Sequence, residues 1–423
     1  MNLRENIRAL KISKKILPGG STFNKSNLFD NGKTPYCLIK GNKVTVTDID
    51  GNKYIDFMNG LGCNLLGYNV KFINNAIVKE INNGVSLPLS NKLEVEVAKK
   101  LKKLIPSAEM VRFGKNGSDV LTQAVKLSRY ITKKDHVLFG GYHGWHDWVI
   151  SQTSRSGGIP EAEKKLSHKF IFNDFKSIYK LYKKLNGKVA CIVMDLVARY
   201  YANKDFLKKV RRFCTEKKII LVFDEIVTGF RIHKGGAQSF FKITPDLSCF
   251  GKAMGNGMPI STLVGKKKYM KNFDHIFYAM NFVSEKASLA AANVTLDFYI
   301  KNDVSYNVNK KGNYLIKHLN RIIQKYNLDN ILELQGMPSR IIIGFKNNLD
   351  SDFLKKKSLD IENLIRYMVE AFAKHKILCN LSIFINYQHK LKDLDKFIKV
   401  FDLICFNINL YKISLFKGNL RLV

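Results

Sequence analysis

From residue 105 to about 297, short apolar runs alternate with stretches in which apolar residues recur every three or four positions. The short, β-branched runs read as strands apolar on both faces, and the three-to-four repeat reads as amphipathic helix. The pattern predicts strands over 110–113, 136–139, 170–172, 189–194, 219–223 and 247–250. Strands alternating with helices in this way predict an α/β fold around a doubly wound, mostly parallel sheet. Upstream, the alternation VTVTDIDGNKYIDF, interrupted at Asp50-Gly51, predicts a β-hairpin over 43–57. Helical periodicity follows over 70–83 and 92–104. Beyond 297 the character changes: amphipathic helices over 306–326 and 361–375 flank apolar strands over 340–345 and 377–384. The expected organisation is an arm over 1–45, a large sheet domain over 46–297 and a smaller α+β domain over 298–423.

The 423 residues, 46% of them hydrophobic and 11% aromatic, suffice for a sizeable core and exclude a disordered chain. A formal net charge of +35 raises the question of nucleic acid. Its distribution answers against that function, because the lysines fall in scattered pairs such as Lys99-Lys100, Lys183-Lys184 and Lys208-Lys209, on the polar faces of ordinary helices. Attraction of phosphorylated or carboxylated small molecules is the milder consequence. The seven cysteines show no CxxC spacing, so neither a disulfide framework nor a metal site is expected. No apolar run reaches the roughly 18 residues of a membrane span. A cytoplasmic protein is the expectation.

Candidate chemistry lies where predicted strands end, since open α/β sheets bind ligands at the carboxyl ends of their strands. The run 219–223 ends on Asp224, and the run 247–250 is followed by Lys252. A carboxylate there can pair with the protonated ring nitrogen of a pyridine cofactor, and a lysine can form an imine with its aldehyde. The segment RFGKNGSD, residues 112–119, leaves a strand and opens a helix. Taken alone it reads most simply as a Ser/Asp N-cap; the alternative is a phosphate site made from the helix start, Gly117 and the Ser118 hydroxyl. After 136–139, Tyr142 and His143 fall in an exit loop, with Tyr142 able to stack on a pyridine face and Ile226 to pack against the other. Trp145, His146 and Trp148 are candidates for the substrate side, although packing is the simpler role for the tryptophans.

The pieces FDE, TGFR, PDL and GK followed by glycines stand in order between 223 and 257. This arrangement resembles class III pyridoxal-phosphate-dependent aminotransferases, the group containing glutamate-1-semialdehyde aminomutase. RFGKNGSD and GYHGWHDW are most similar to its branch acting in sugar and polysaccharide biosynthesis. The resemblance implies the fold type I architecture of pyridoxal-phosphate enzymes and a homodimer with shared active sites. It implies Lys252 and Asp224 as catalytic residues, and Asn116, Gly117, Ser118, Tyr142, His143 and Ile226 as further cofactor contacts. Asn281 stands where the family has a threonine that reaches the phosphate of the neighbouring subunit. Two further departures bear on substrate: Asp195-Leu196 replaces a usual Glu-Pro, and the loop PGGSTFNKS lacks the aminomutase's arginine, Lys25 being the nearest cation. The implied reaction transfers an amino group from a small-molecule donor to an aldehyde or ketone acceptor. The alternatives are an aminomutase forming 5-aminolevulinate and a catalytically impaired relative serving as a binding protein.

Overall fold

The computed structural model describes residues 1–19, 28–346 and 361–410; Lys25 and most of its loop lie outside them. The chain forms two compact units, one of residues 1–61, 66–70 and 308 onward, the other of residues 62–65 and 71–307. These limits differ from the sequence boundaries at 45 and 297. The reason is a strand pairing: Lys53–Asp56 lies parallel to Ile377–Leu378, which ties the start of the chain to its end.

In the unit around residues 71–307, seven strands form one sheet: β1 (Met110–Gly114), β2 (His136–Gly140), β3 (Ser167–Lys169), β4 (Val189–Asp195), β5 (Ile220–Asp224), β6 (Leu247–Phe250) and β7 (Ser261–Gly265). Their spatial order is β1-β7-β6-β5-β4-β2-β3. The run from β6 to β3 is parallel throughout, and β7 is antiparallel to both β1 and β6. Strands β5 and β6 are buried along their whole length, which accounts for their unbroken apolar sequences ILVFD and LSCF. Helix α1 (Gly117–Thr132) covers one face, setting Val120, Leu121, Ala124, Val125 and Leu127 into a core with Val137, Phe139, Val193, Val222 and Leu263. Each valine, leucine or phenylalanine of this set stabilises the unit by about 1.5–3 kcal/mol on burial. The helix stops at Lys133, whose φ of 53° is left-handed.

Two strand expectations need correction. The strand placed at 170–172 is Ser167–Lys169. Phe170 makes one more ladder bond, N–H to the Phe139 carbonyl at 3.1 Å, and the chain then leaves the sheet as the Ser177 hydroxyl takes the Ile171 N–H at 3.0 Å. The apolar run 377–384 is two short strands, Ile377–Leu378 and Ser382–Phe384, in different sheets. Leu381, at a φ of 67°, turns the chain between them. Strand β7 was not among the predicted strands.

The other unit holds a four-stranded sheet of Leu38–Asn42, Thr45–Asp48, Lys53–Asp56 and Ile377–Leu378, with the expected hairpin at its centre. A three-stranded antiparallel sheet is built from Leu332–Met337, Arg340–Phe345 and Ser382–Phe384. Its core includes Phe57, Phe372, Phe397 and Phe401. His389 stacks on Phe57 with ring centroids 4.6 Å apart.

Candidate active site

Because β1, β2, β5 and β6 run in one direction, their exit loops emerge at one edge of the sheet. Those loops carry the residues singled out in the sequence. At the end of β5, Asp224 is buried, with Oδ1 accepting from the Ile226 N–H at 3.0 Å and Oδ2 lying 2.8 Å from His143 Nδ1. His143, on the β2 exit loop, is also buried, and its Nε2 lies 3.1 Å from the Gly140 carbonyl. Both ring nitrogens therefore face oxygen acceptors. Each Asp224 oxygen has a second lone-pair direction, so the carboxylate can accept one more donor.

The loop from β1 into α1 is held from two sides. The Asn116 N–H donates to Asp119 Oδ2 at 2.7 Å, and the Asn116 carbonyl accepts from Ser261 Oγ, the first residue of β7, at 2.8 Å. Ser118 is buried, and its Oγ accepts from the Trp145 N–H at 3.3 Å. Two glycines are closely packed, Gly144 the more severely and at a left-handed φ of 102°. A Cβ on Gly144 would stand 2.1 Å from Ser118 Oγ, and one on Gly117 would stand 3.1 Å from Ile226 Cγ1. Ile226 also lies against Gly251, where a Cβ would meet its Cδ1 at 3.2 Å. One side chain thus joins the helix start to the residue before Lys252.

Lys252 is half-buried and has a φ of 42°, in the left-handed region that costs a residue with a Cβ of order 1–3 kcal/mol. It opens a single 3₁₀ turn, Lys252–Met254, anchored by the Tyr299 hydroxyl donating to the Ala253 carbonyl at 2.8 Å. Cys63 lies close by: burial pushes its thiol up, against the pull of the Lys252 and Arg231 charges. Tyr142 is 73% exposed, so its ring is available to cover a ligand. Asn281 is exposed in the turn ahead of helix α3 (Lys286–Lys301), and it does not join the hydrogen bonds around Asp224 and Ser118. Trp148 is buried, its Nε1–H donating to Thr122 Oγ1 at 2.9 Å, and Thr122 in turn meets His146 Nδ1 at 2.7 Å. Among the described residues no group of three or more His, Cys, Asp or Glu is placed to hold a metal ion.

Two supporting residues were not found in the sequence. Glu225, next to Asp224, turns away from the edge and is fully buried. Its oxygens accept from the Ala237 N–H at 2.7 Å, the Gln238 N–H at 2.9 Å and the Thr228 hydroxyl at 2.5 Å, fixing the start of helix α2 (Gly236–Phe241). Burial pushes its carboxyl up to about 7, against the pull of those donors. The available signal was Gly235-Gly236, since a Cβ on Gly236 would meet Glu225 Oε1 at 2.7 Å. Ser261 was missed together with β7.

The model for aminotransferase class-III matches residues 28–358, and the chain belongs to that family. It is 31% identical over 422 residues to the glutamate-1-semialdehyde 2,1-aminomutase of Wigglesworthia glossinidia brevipalpis, covering 93% of this chain and 96% of that one. It is 30% identical over 378 residues to the 3-aminobutyryl-CoA aminotransferase of Cloacimonas acidaminovorans (strain Evry), covering 87% and 90%. In fold it is similar to the FumI protein of Sphingopyxis sp. MTA144, solved in its PLP internal aldimine form, with a TM-score of 0.87, 24% identity and 96% of both chains covered. The expected α/β fold with its large, mostly parallel sheet is therefore present.

Proposed function

We propose that the protein is a pyridoxal-phosphate-dependent aminotransferase that moves an amino group from a small-molecule donor onto an aldehyde or ketone of a small metabolite, in cell-envelope sugar or related biosynthesis. The observation that carries this reading is the buried Asp224–His143 pair, 2.8 Å apart, with Asp224 ending the strand next to the one that delivers Lys252. The residues fit the cofactor. A buried carboxylate has an acceptor position to spare for a ring N–H, and Gly117, Gly144 and Ser118 form a close-packed cradle at a helix start suited to a phosphate. Pyridoxal phosphate, when bound, supplies an aldehyde that takes the amine and a ring that accepts the electrons released at the substrate carbon.

In this reading Asp224 holds the proton on the ring nitrogen, and His143 orients the carboxylate and fixes its charge by a bond worth about 1.5–3 kcal/mol. Lys252 is the amine that would hold the bound cofactor through its aldehyde, with loss of water, and once displaced by the incoming amine its Nζ would be the base that carries a proton at the substrate carbon. Ile226 and Tyr142 clamp the two ring faces, while Asn116, Gly117 and Ser118 hold the phosphate.

A homodimer completes the site. Phe277 is 83% exposed and Phe282 62% exposed, on the segment that carries Asn281, a density of bare aromatic surface that supports a second copy of this chain covering it. Among the described residues no helix is long and apolar enough to cross a membrane. All seven cysteines are unbridged, which supports a reducing, cytoplasmic setting.

Adding pyridoxal phosphate to the purified protein tests the reading: a visible band of lysine-bound cofactor is expected, and Lys252→Ala should lose both that band and turnover. A colourless wild-type protein, or a Lys252→Ala variant with appreciable transaminase rate, refutes it. The similarity to aminomutases supports a second reading, formation of 5-aminolevulinate. Net product without any external amino donor would favour it over transamination.

A further inference from the structure

The segment 277–285 is gripped by three cations, all from the β1–α1 region that also carries the proposed phosphate cradle. Arg112 Nη2 donates to the Tyr278 carbonyl at 2.7 Å, and its guanidinium lies 5.0 Å from the Phe273 ring centroid. Lys126 Nζ donates to the Phe277 carbonyl at 2.9 Å. Lys115, immediately before Asn116, meets Glu285 Oε1 at 2.6 Å, with side chains only 14% and 10% exposed. Glu285 is in turn the N-cap of α3, accepting from the Ser288 N–H at 3.1 Å. Next to it, Asn91 Nδ2 donates to the Ser284 carbonyl at 2.8 Å. Burial works against the Glu285 charge, yet Lys115 and Ser288 hold its carboxyl below the ordinary value.

This arrangement answers one question and raises another. In a chain with 70 lysines and arginines, the lysine beside the helix start is the obvious cation for the phosphate. The structure instead commits it to a carboxylate 170 residues away. A shielded ion pair of this kind specifies geometry, because either charge left alone in that setting is strongly unfavourable. The geometry it specifies leaves Phe277, Asn281 and Phe282 facing outward.

We propose that Lys115 and Glu285 are a positioning pair that fixes the 277–285 segment so that Asn281 and Phe282 complete the cofactor site of the partner subunit. The proposal rests on the dimeric, cofactor-binding reading above. The pair touches no cofactor itself; it acts through the segment, and it acts on the other subunit.

Hybrid dimers separate this from a merely structural role. Glu285→Gln homodimers should retain pyridoxal phosphate on the order of tenfold less well on dialysis, the loss typical when an outer partner that orients a contacting group is removed. In a hybrid of one Glu285→Gln chain and one Lys252→Ala chain, the sole lysine-bearing site receives its segment from the chain with intact Glu285. That site should show the visible band and retention of the wild type. A hybrid site as weak as the Glu285→Gln homodimer places the effect within one chain and overturns the proposal, as does a Glu285→Gln homodimer equal to wild type. Wild-type protein without the band refutes the functional reading, and this proposal with it.

Discussion

Substituting Gly144 by alanine tests the cradle directly, because the added atom has a known destination. At a φ of 102°, the Cβ would stand 2.1 Å from Ser118 Oγ, 2.9 Å from its Cβ and 3.2 Å from its Cα. The hydroxyl can rotate away, but the Cα belongs to the first turn of α1, so the loop or the helix start has to move. Positive φ costs alanine about 1–3 kcal/mol, and forcing an atom into close packing costs about 1–3 kcal/mol more. Together these are roughly 2–6 kcal/mol, and each 1.4 kcal/mol is a factor of about ten in an equilibrium constant. If the protein relieves the overlap by withdrawing Ser118, the loss appears as weaker binding of pyridoxal phosphate, followed by fluorescence titration. If it does not, the loss appears as a lower urea midpoint. Gly157→Ala is the control, since a Cβ there meets nothing within 4 Å. A Gly144→Ala protein matching that control in both measurements would refute the argument that Gly144 and Ser118 form a close-packed cradle.

His143→Leu removes the partner of a buried carboxylate, and the expected loss of about 1.5–3 kcal/mol should appear as a roughly ten- to hundredfold rise in the dissociation constant for pyridoxal phosphate. Unchanged affinity would show that His143 does not orient Asp224. A second expectation concerns acid stability. Burial, helped by the Lys311 charge, drives the His389 ring down from 6.5 to about 3, so the folded protein binds fewer protons there than the unfolded chain between those values. Stability from this group is thus complete above 6.5 and falls by roughly 1.4 kcal/mol per pH unit on acidification. Because carboxyls raised by burial, such as Glu225, give the opposite slope in this window, the contribution is read as the difference in unfolding free energy between wild type and His389→Gln, which should change by that amount per unit from pH 6 to 4; a difference independent of pH would count against the assignment.

How much of this was legible in the sequence depended on whether the signal was local. Asp224 and Lys252 stand out as candidates in the sequence because each follows an apolar run, and strand ends are where such sheets bind ligands. Ser118 stands out as a candidate because a helix begins there. The bond between His143 and Asp224 spans 81 residues, and no local pattern announces it. Glu225 looks from its neighbours like a second acid at the edge, yet it faces the interior, since successive side chains at a strand end point to opposite faces. Lys115 could not be distinguished from the other cations of a very basic chain until folding brought Glu285 beside it. Strand β7 was missed because STLVG is brief and lies between a glycine-rich turn and a lysine run. The boundary between units escaped detection for a similar reason, as the pairing of Lys53–Asp56 with Ile377–Leu378 joins distant parts of the chain.

Strand β7 also bears on the order in which the protein can assemble. Within the sheet, β1 pairs with β7 alone, and the Thr262 hydroxyl reaches back 150 residues to the Arg112 carbonyl. During synthesis β2, β4 and β5 can join as they appear, while β1 has no strand to pair with until Gly265 has emerged. Until then the sequence MVRFG is an open edge of the kind that invites pairing with other chains. The proposed phosphate cradle hangs from that strand, and Ser261 secures it last. A nascent chain therefore acquires its cofactor late, and chain release ahead of residue 265 should yield an aggregating product instead of a partial enzyme.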